Sequence, residues 1–529
     1  MKQIQIFITI AAWYAVLSCS KLDVGPSYQE SDLTFWNNPA SASNALNACY
    51  AGMYPSEYFF FNEDLSDNAF CVSAVNGGQV RNIAQGNYDG TTTRVAGEWA
   101  FHFGGIRTCN NLLANIDKVP GVSAEQKSRM MAEARFIRAF HYFQLFTWYG
   151  DVPLITSEIG LSESYTIPRT PKTQVVEFVM NELDDIQSIL PVNTAYPASD
   201  RGRITKGAAI ALKARIQLYE GNWENVIGNC ELLMNSNAHG TYALFPDYGG
   251  IFTAANEYNS EVILDLQYIP VNRTHSEQRF FIPRTEGQLI CGIAPSQELV
   301  DSYIMLNGKA IDEAGSGYDE DNPYTGRDPR LDATIVYHGS SFTGKNGTTY
   351  VVNTLPGTGD NSIDHADATT TGYYVRKYYD RTADAANNSG LNLILIRYAD
   401  VLLMYAEAVN ELGNMNADIW NKTIRQLRTR AGFTAAGALD FPALSQASLR
   451  EIIRRERRSE LAMEGTRIFD IRRWRTAETV LNGTMHGFKV NGAYLEVDRR
   501  VFDASKHYLW PVPQTEVNLN KNIKQNPNW

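Results

Sequence analysis

The chain has 529 residues, a formal net charge of −11 at pH 7 and 44% hydrophobic residues. This length is ample for a large core, and length alone predicts about three domains at roughly 150 residues each. An acidic chain repels phosphate groups, which excludes nucleic acid as a partner. The six cysteines are widely spaced and include no C-x-x-C pair. A zinc ribbon or a thioredoxin-type site is therefore not supported, and most of the cysteines are expected to be small buried hydrophobes.

The N-terminal residues have the layout of a secretory signal peptide. Lys2 is the only charge ahead of residues 4–17, which are nearly all apolar. This run is shorter than the roughly 20 residues that a permanent membrane helix needs, so a signal peptide is predicted over residues 1–18. Val16-Leu17-Ser18-Cys19 resembles the bacterial lipobox, in which the cysteine becomes acylated and several acyl chains anchor the protein. An ordinary signal peptide followed by an incidental cysteine remains the alternative.

The first strongly helical pattern covers residues 123–155. Ser123 and Gln126 predict a capping box at its start, and Gly150 ends it. Aromatic residues cover more than one face of this helix, which predicts that it is buried among other helices. His141 is expected to be a hydrogen-bonded packing residue rather than a metal ligand.

Two later segments, residues 202–234 and 394–433, have the pattern of helix, tight turn, helix. Gly221-Asn222 marks the turn in the first segment and Leu412-Gly413 marks it in the second. Small residues at the helix crossing and a glycine in the turn are typical of tetratricopeptide-type hairpins. Helical hairpins without a repeat relationship remain the alternative.

Residues 448–476 predict a further helix, which is rich in arginine. Between positions 451 and 475 it has eight arginines against five acidic residues. Glu451 with Arg455, and Glu464 with Arg467, have the spacing of ion pairs along one helix. We expect an ionic network pinned between helices, with a basic ligand-binding face as the alternative.

Long segments rich in Gly, Asn, Thr, Asp and aromatic residues separate the helical regions, at 54–98, 236–295 and 307–390. Compact domains rarely keep such segments without a function. Alternating apolar residues predict short strands within 260–269 and 334–339. The predicted fold is mainly α, with tetratricopeptide-type hairpins in an α-α superhelix, large irregular loop insertions and a few short strands.

Several sequence blocks follow one another in a fixed order along nearly the whole chain. They are Leu22-Asp23, Pro26, Phe35-Trp36, the aromatic helix at 132–154, "DPRL" at 328–331, "RYADVLLMYAEA" from 397, "RRER" from 454 with "DIRRW" ending at 474, and the tail with Pro511, Pro513, Glu516 and Gln525-Asn526-Pro527. Together these blocks resemble the SusD/RagB family, the nutrient-binding outer-membrane lipoproteins of Bacteroidetes.

The resemblance implies one compact helical body, with an N-terminal SusD-like region over 19–235 and a C-terminal SusD/RagB region over 236–529. Such a protein would be anchored on the cell surface through acylated Cys19. It would form a lid over a SusC-like TonB-dependent transporter, with its repeats facing that partner. The irregular side would bind the nutrient, most often a glycan or oligosaccharide and sometimes a peptide.

A search for catalytic motifs returns no H-E-x-x-H, no G-x-S-x-G and no phosphate-binding loop. We therefore expect neither catalysis nor a cofactor. Asp319 and Asp321 could hold a structural calcium ion, although the surrounding residues fail the EF-hand pattern. A surface glycan-degrading enzyme, an oligopeptide-binding protein and a pure assembly scaffold remain as alternatives.

Sugar recognition requires flat rings for the apolar faces of pyranoses and polar side chains for their hydroxyl groups. By position, the loops at 65–90 and 267–288 correspond to the ligand-binding side of the resembling family. The candidate ligand-binding residues are Asn76, Arg81, Tyr88, Phe280, Phe281, Arg284 and Gln288. Simple loop packing is the alternative for each ring, and Trp99 is expected to lie in the core.

Overall fold

The computed structural model describes residues 35–75 and 78–529 of the chain. The predicted signal peptide, Cys19 and Asn76 lie outside the described residues. Within the described part the architecture is mainly α, with short two-stranded sheets set into irregular segments. The predicted fold class is confirmed. None of the helices in this part combines the length and the apolar character that crossing a bilayer requires.

The α-helices are α1 (Pro39–Ala51), α2 (Ser56–Phe61), α3 (Gln79–Ala84), α4 (Thr93–Asn115), α5 (Ala124–Tyr149), α6 (Leu161–Ser164), α7 (Lys172–Ile186), α8 (Lys206–Glu220), α9 (Trp223–Asn235), α10 (Gln297–Ser302), α11 (Arg330–Thr334), α12 (Tyr398–Glu411), α13 (Ala417–Lys422), α14 (Ile424–Ala431), α15 (Ala436–Leu439), α16 (Gln446–Glu460), α17 (Arg467–Arg473), α18 (Ala477–Val480) and α19 (Gln514–Leu519). The strands are β1 (Ala69–Phe70), β2 (Val262–Leu266), β3 (Ala294–Pro295), β4 (Ile335–Val336), β5 (Ser341–Thr343), β6 (Thr349–Val351), β7 (Tyr374–Val375), β8 (Leu393–Arg397), β9 (Gly483–Val490) and β10 (Ala493–Arg500).

Helix α5 packs among other helices in the N-terminal half of the chain. The Ser123 side chain accepts the N–H of Gln126, and the Gln126 side chain accepts the N–H of Ser123, so the predicted capping box is confirmed. Aromatic side chains are buried on several faces of α5, which packs against α4 and α7. The Trp148 ring stacks on Trp510 at a centroid distance of 3.9 Å and joins the C-terminal segment to this helix. A helix buried among helices is thus confirmed.

Three smaller expectations for buried residues are also confirmed. His141 is fully buried, and its Nδ1 lies 2.9 Å from Nδ1 of His102. Trp99 lies in the core. The five cysteines of the described residues are buried free thiols, as expected for small apolar side chains.

The two predicted helical hairpins are present. Gly221 lies between α8 and α9 in the left-handed region at a φ of 73°, and Gly413 follows α12 at the same φ. Helix α9 packs against α12, so the hairpins stack side by side as in a superhelix. The start of the second hairpin segment differs from the prediction, because residues 393–397 form strand β8 and pair antiparallel with β2. The strands predicted within 260–269 and 334–339 are confirmed as β2 and β4.

The single helix predicted over 448–476 is wrong, because the chain breaks between α16 and α17. Met463 and Gly465 adopt positive φ values of 62° and 71° in this break. A Cβ at Gly465 would lie 2.4 Å from the Phe59 carbonyl oxygen, so only glycine fits there. The break places the Glu464 side chain in the core.

A buried ionic network joins the C-terminal helices, as predicted. Arg397 Nη1 contacts Glu261 and Glu460, both at 2.6 Å, and its Nη2 contacts Glu464 at 2.8 Å. Arg330 contacts Glu460 at 2.8 Å from the other side. Burial opposes the charge on Glu460, but its arginine neighbours outweigh burial and hold the pKa of this carboxyl well below its usual range.

The two ion pairs predicted along one helix are replaced by other contacts. Glu451 contacts Arg454 at 3.8 Å instead of Arg455. Glu464 contacts Lys377 and Arg397, while Arg467 reaches Asp67 at 2.8 Å. Helical spacing predicts which residues share a face, but the chain break and distant partners decide the pairing here.

Candidate functional site

An open cleft of about 480 Å³ lies between the irregular 307–390 segment and the β9–β10 hairpin. We name it the tyrosine cleft after its main lining residues. Its aromatic residues are Tyr318, Tyr324, Tyr337, Tyr373, Phe488 and Tyr494. Its polar residues are Gln297, Glu320, Asp321, Asn322, Thr325, His338 and Lys489. The cleft therefore combines flat rings with side chains that donate and accept hydrogen bonds.

Two stacked tyrosines form one wall of the tyrosine cleft. The Tyr324 and Tyr337 rings lie 3.8 Å apart with an angle of 18° between their planes. Tyr324 Oη donates to Tyr373 Oη at 3.3 Å, and Tyr373 Oη donates to Gln297 Oε1 at 2.6 Å. Tyr337 Oη donates to Asp332. These bonds hold both rings in place before any ligand arrives, which lowers the entropy cost of binding.

The loop that carries Tyr324 is fixed to the body of the protein by a buried arginine. Arg327 Nη1 donates to the Pro323 carbonyl at 2.7 Å, and its Nη2 donates to the Val300 carbonyl at 2.6 Å. Burial raises the pKa of Tyr324 to about 12. The phenol therefore stays neutral at neutral pH and keeps the proton that it donates to Tyr373.

The β9–β10 hairpin forms a second wall of the tyrosine cleft. Tyr494 and Lys489 face each other across the two strands, with the Lys489 Nζ 4.7 Å from the ring centroid. Lys489 Nζ also donates to Glu320 Oε2 at 2.9 Å, which links the two walls through an exposed ion pair. The Tyr494 side chain is 39% exposed, so part of its ring is open to a ligand. Glu298 of α10 binds the His486 backbone N–H at 3.0 Å and anchors this hairpin.

The acidic turn at the rim of the tyrosine cleft is held by its own hydrogen bonds. Asp319 accepts the Asp321 backbone N–H at 3.0 Å and the Asn322 side-chain amide at 2.8 Å. The described residues contain no group of three or more His, Cys, Asp or Glu side chains that could hold a metal ion. A calcium ion at Asp319 and Asp321 stays a prediction.

The residues predicted from the 65–90 loop have structural contacts. Arg81 pairs with Asp498 at 3.2 Å and lies over the Phe70 ring at 5.3 Å. The half-buried Tyr88 ring packs 5.0 Å from His507 and 4.8 Å from Trp529, the last residue of the chain. Neither residue lines the tyrosine cleft.

The residues predicted from the 267–288 loop divide between the core and its edge. Phe281 is fully buried against Phe60 at 5.3 Å, so the prediction that its ring stacks on a ligand is wrong in this structure. Phe280 packs 5.7 Å from Phe61. Arg284 Nε donates to both oxygens of Asp367 at 2.9 Å, and Gln288 donates to the Asp367 carbonyl. The rings of Phe280 and Phe281 thus both pack against α2, where they complete the core.

Sequence reasoning missed the residues that line the tyrosine cleft. The acidic residues of 318–325 suggest a calcium site, but the same stretch also contains two tyrosines among turn-forming Asp, Asn and Pro. That composition is a signal for an exposed aromatic loop. The partner rings at positions 337 and 494 are distant in the chain, so no local pattern connects them.

The chain matches two family models. The model described as "SusD family" matches residues 257–529, and the model described as "Starch-binding associating with outer membrane" matches residues 22–218. A curated relative, the SusD-like protein P2 of Formosa agariphila, is 27% identical over 97% of this chain and 96% of its own length.

Solved structures have the same fold. A SusD-like carbohydrate-binding protein of Bacteroides fragilis superposes with a TM-score of 0.83 at 29% identity, over 93% of this chain and 100% of that chain. A laminarin-binding SusD-like protein superposes with a TM-score of 0.70 at 23% identity, over 93% of this chain and 100% of that chain. The resemblance of the sequence blocks is confirmed, and the chain belongs to the SusD family.

Proposed function

We propose that this protein binds glycans or oligosaccharides in the tyrosine cleft and captures them for import by a SusC-like TonB-dependent transporter. The observation that carries the proposal is the fixed Tyr324–Tyr337 stack, which lines one open cleft together with Tyr494. Aromatic faces pack on the C–H faces of pyranose rings, and the polar side chains between them can bind hydroxyl groups. A volume of about 480 Å³ lies within the range of small-ligand sites.

The relatives support a carbohydrate as the ligand class. One solved neighbour is described as a carbohydrate-binding protein and another as laminarin-binding. The family description that matches the N-terminal region names starch binding and association with the outer membrane. These properties belong to the relatives, and they make glycans the first class of ligand to test.

A surface lipid anchor at Cys19 completes the proposal. Several acyl chains would hold the protein beside its transporter, and this placement would raise the local concentration of captured ligand. Modest affinity at the cleft is then sufficient for uptake. Mass spectrometry of the mature protein should show an acylated cysteine at its N-terminus. Cys19→Ser should release the protein from the membrane, and acylation or retention without this thiol would contradict the anchor.

The test of the ligand site is a glycan array followed by calorimetry with purified protein. Tyr324→Ala combined with Tyr337→Ala should weaken binding by at least about ten-fold, roughly 1.4 kcal/mol, because the stacking surface is lost. The matched control is Tyr165→Ala, which removes a tyrosine that is 43% exposed and lies outside the cleft. Unchanged affinity in the double variant would exclude the tyrosine cleft as the ligand site.

Peptide-binding, cleavage and transporter-association assays on the same purified protein separate the alternatives. Binding of peptides instead of glycans would support an oligopeptide carrier. Release of sugar products from polysaccharide would indicate a glycan-degrading enzyme. Association with the transporter in the absence of any ligand affinity would indicate an assembly scaffold.

A further inference from the structure

A small cavity of about 30 Å³ lies between residues 83–88, α17 and residues 501–510. Most of its wall is apolar and comes from residues such as Leu65, Ile83, Leu481 and Trp510. Three side chains with polar groups, Tyr88, Arg472 and His507, also line it. A cavity of this size has room for a water molecule or a monatomic ion.

Arg472 is a buried cation without a carboxylate partner in the described part of the chain. Its side chain is 7% exposed and lies 4.5 Å from the centroid of the Trp148 ring. Nη2 donates to the Tyr508 carbonyl at 2.5 Å, whereas Nε and Nη1 have no hydrogen-bond partner among the described residues. The adjacent Arg473 differs, because it contacts Glu407 at 2.6 Å and Asp470 at 2.9 Å.

The charge on Arg472 persists at neutral pH. Burial lowers the pKa of this guanidinium to about 10, and the nearby Arg475 acts in the same direction. A buried charge is costly unless an opposite charge or a full set of hydrogen bonds compensates for it. Two unused N–H donors on such a group therefore indicate that a compensating partner binds there.

His507 adds a third donor to the same cavity. Its Nδ1 accepts the backbone N–H of Asp503 at 2.9 Å, so the proton of the neutral ring lies on Nε2. Burial lowers the pKa of His507 to about 4, which keeps the ring neutral at pH 7. Nε2 is buried and has no hydrogen-bond partner among the described residues.

All three unpartnered atoms are hydrogen-bond donors on residues that line the cavity, so an occupant that they contact must accept hydrogen bonds. A water molecule would accept two bonds but would bring two protons of its own, and Tyr88 Oη is the only side-chain oxygen among the lining residues. A halide ion only accepts, and it also compensates the guanidinium charge. We infer that this cavity binds a chloride ion held by Arg472 and His507.

The first test is crystallography of the full mature chain with bromide in place of chloride. Bromide scatters anomalously and fits sites that accept chloride. We expect one anomalous peak in the cavity, within hydrogen-bonding distance of Nε or Nη1 of Arg472. Density without an anomalous signal at this position would identify water and overturn the inference.

The second test is thermal unfolding in sodium chloride and in sodium gluconate at equal ionic strength. A ligand that binds only the folded state raises Tm as its concentration increases, so wild-type Tm should rise with chloride and not with gluconate. Arg472→Met should remove this rise. The control Arg475→Met should keep it, because Arg475 lies outside the cavity lining, over the Tyr508 ring at 4.2 Å.

If Arg472→Met does not fold, His507→Phe is the substitute variant for the same measurement. This variant keeps the guanidinium and removes one donor, so the chloride-dependent rise in Tm should become smaller. Equal wild-type Tm values in the two salts would overturn the inference. The outcome is independent of glycan binding, because the cavity and the tyrosine cleft share no lining residue.

Discussion

The ionic network around Arg397 and the ion pair in the tyrosine cleft use the same chemistry in opposite surroundings. Arg397 is 1% exposed and contacts three carboxylates, whereas Lys489 and Glu320 meet at an exposed rim. In the core each charge depends on its partner, because water cannot replace it. At the rim water replaces either partner at little cost. The buried charges therefore stabilise the framework, while the exposed ones are free to rearrange around a ligand.

The largest difference between the two regions should appear when one cation is removed from each. Arg397→Met leaves Glu261, Glu460 and Glu464 buried with reduced compensation, so the free energy of unfolding should fall by about 3–5 kcal/mol. The matched change at the rim, Lys489→Met, should leave stability unchanged within error. Urea denaturation measures both effects. Equal losses in the two variants would contradict the division between framework and cleft.

The ligand-binding surface should show the reverse behaviour. Tyr494→Ala should weaken glycan binding by about ten-fold, roughly 1.4 kcal/mol, because one stacking face is lost. Its Tm should stay at the wild-type value, since this side chain is 39% exposed. Tyr494→Phe keeps the ring and is the control that should retain most of the affinity. Calorimetry and thermal unfolding on the same samples test this separation, and a large loss of Tm in Tyr494→Ala would refute it.

The buried carboxyl of Asp265 has no arginine partner among the described residues. It extends the comparison of buried charges to the way in which stability depends on pH. Burial raises the pKa of Asp265 to about 7, and its bonds to Gln267 and Asn392 only partly offset burial. Folded Asp265 keeps its proton up to about pH 7, whereas an unfolded aspartic acid loses it near 3.9, so its contribution lowers stability as pH rises through that interval. Glu460 has the opposite sign, since its lowered pKa gives stability that is lost as pH falls below about 4.

Asp265→Asn tests this assignment because an amide cannot ionise. The Tm of the variant relative to wild type should increase as pH rises from 4 to 7 and become constant above about pH 7. Thermal unfolding across this range measures the difference. A constant difference at every pH would show that Asp265 ionises normally in the folded protein.

The smallest expected effect concerns two glycines of the first hairpin. Gly221→Ala should cost about 1 kcal/mol, because alanine must adopt the positive φ of the turn. Gly228→Ala lies inside α9 with no atom within 4 Å of the added methyl group, so it should stabilise by roughly 0.5–1 kcal/mol. Changes of opposite sign in the free energy of unfolding, measured by chemical denaturation, would support the hairpin geometry. A stabilising Gly221→Ala would contradict it.

Local patterns in the sequence predicted most of the framework, except for the break between α16 and α17. The capping box at Ser123, the turn glycines and the periodic apolar residues act over a few positions, and the structure contains each of them. The ordered blocks of the chain also identified the family, which the matches to residues 22–218 and 257–529 confirm. These features depend on neighbours in sequence, so one chain was sufficient to predict them.

Tertiary structure alone decided which distant groups meet. Arg397 and Glu261 are 136 residues apart, and no helical spacing predicts their contact. The same holds for the rings of the tyrosine cleft and for Phe281, whose neighbour Phe280 is partly exposed while Phe281 is fully buried. The sequence shows which positions carry a ring or a charge, but burial and partner choice follow from how separate segments pack.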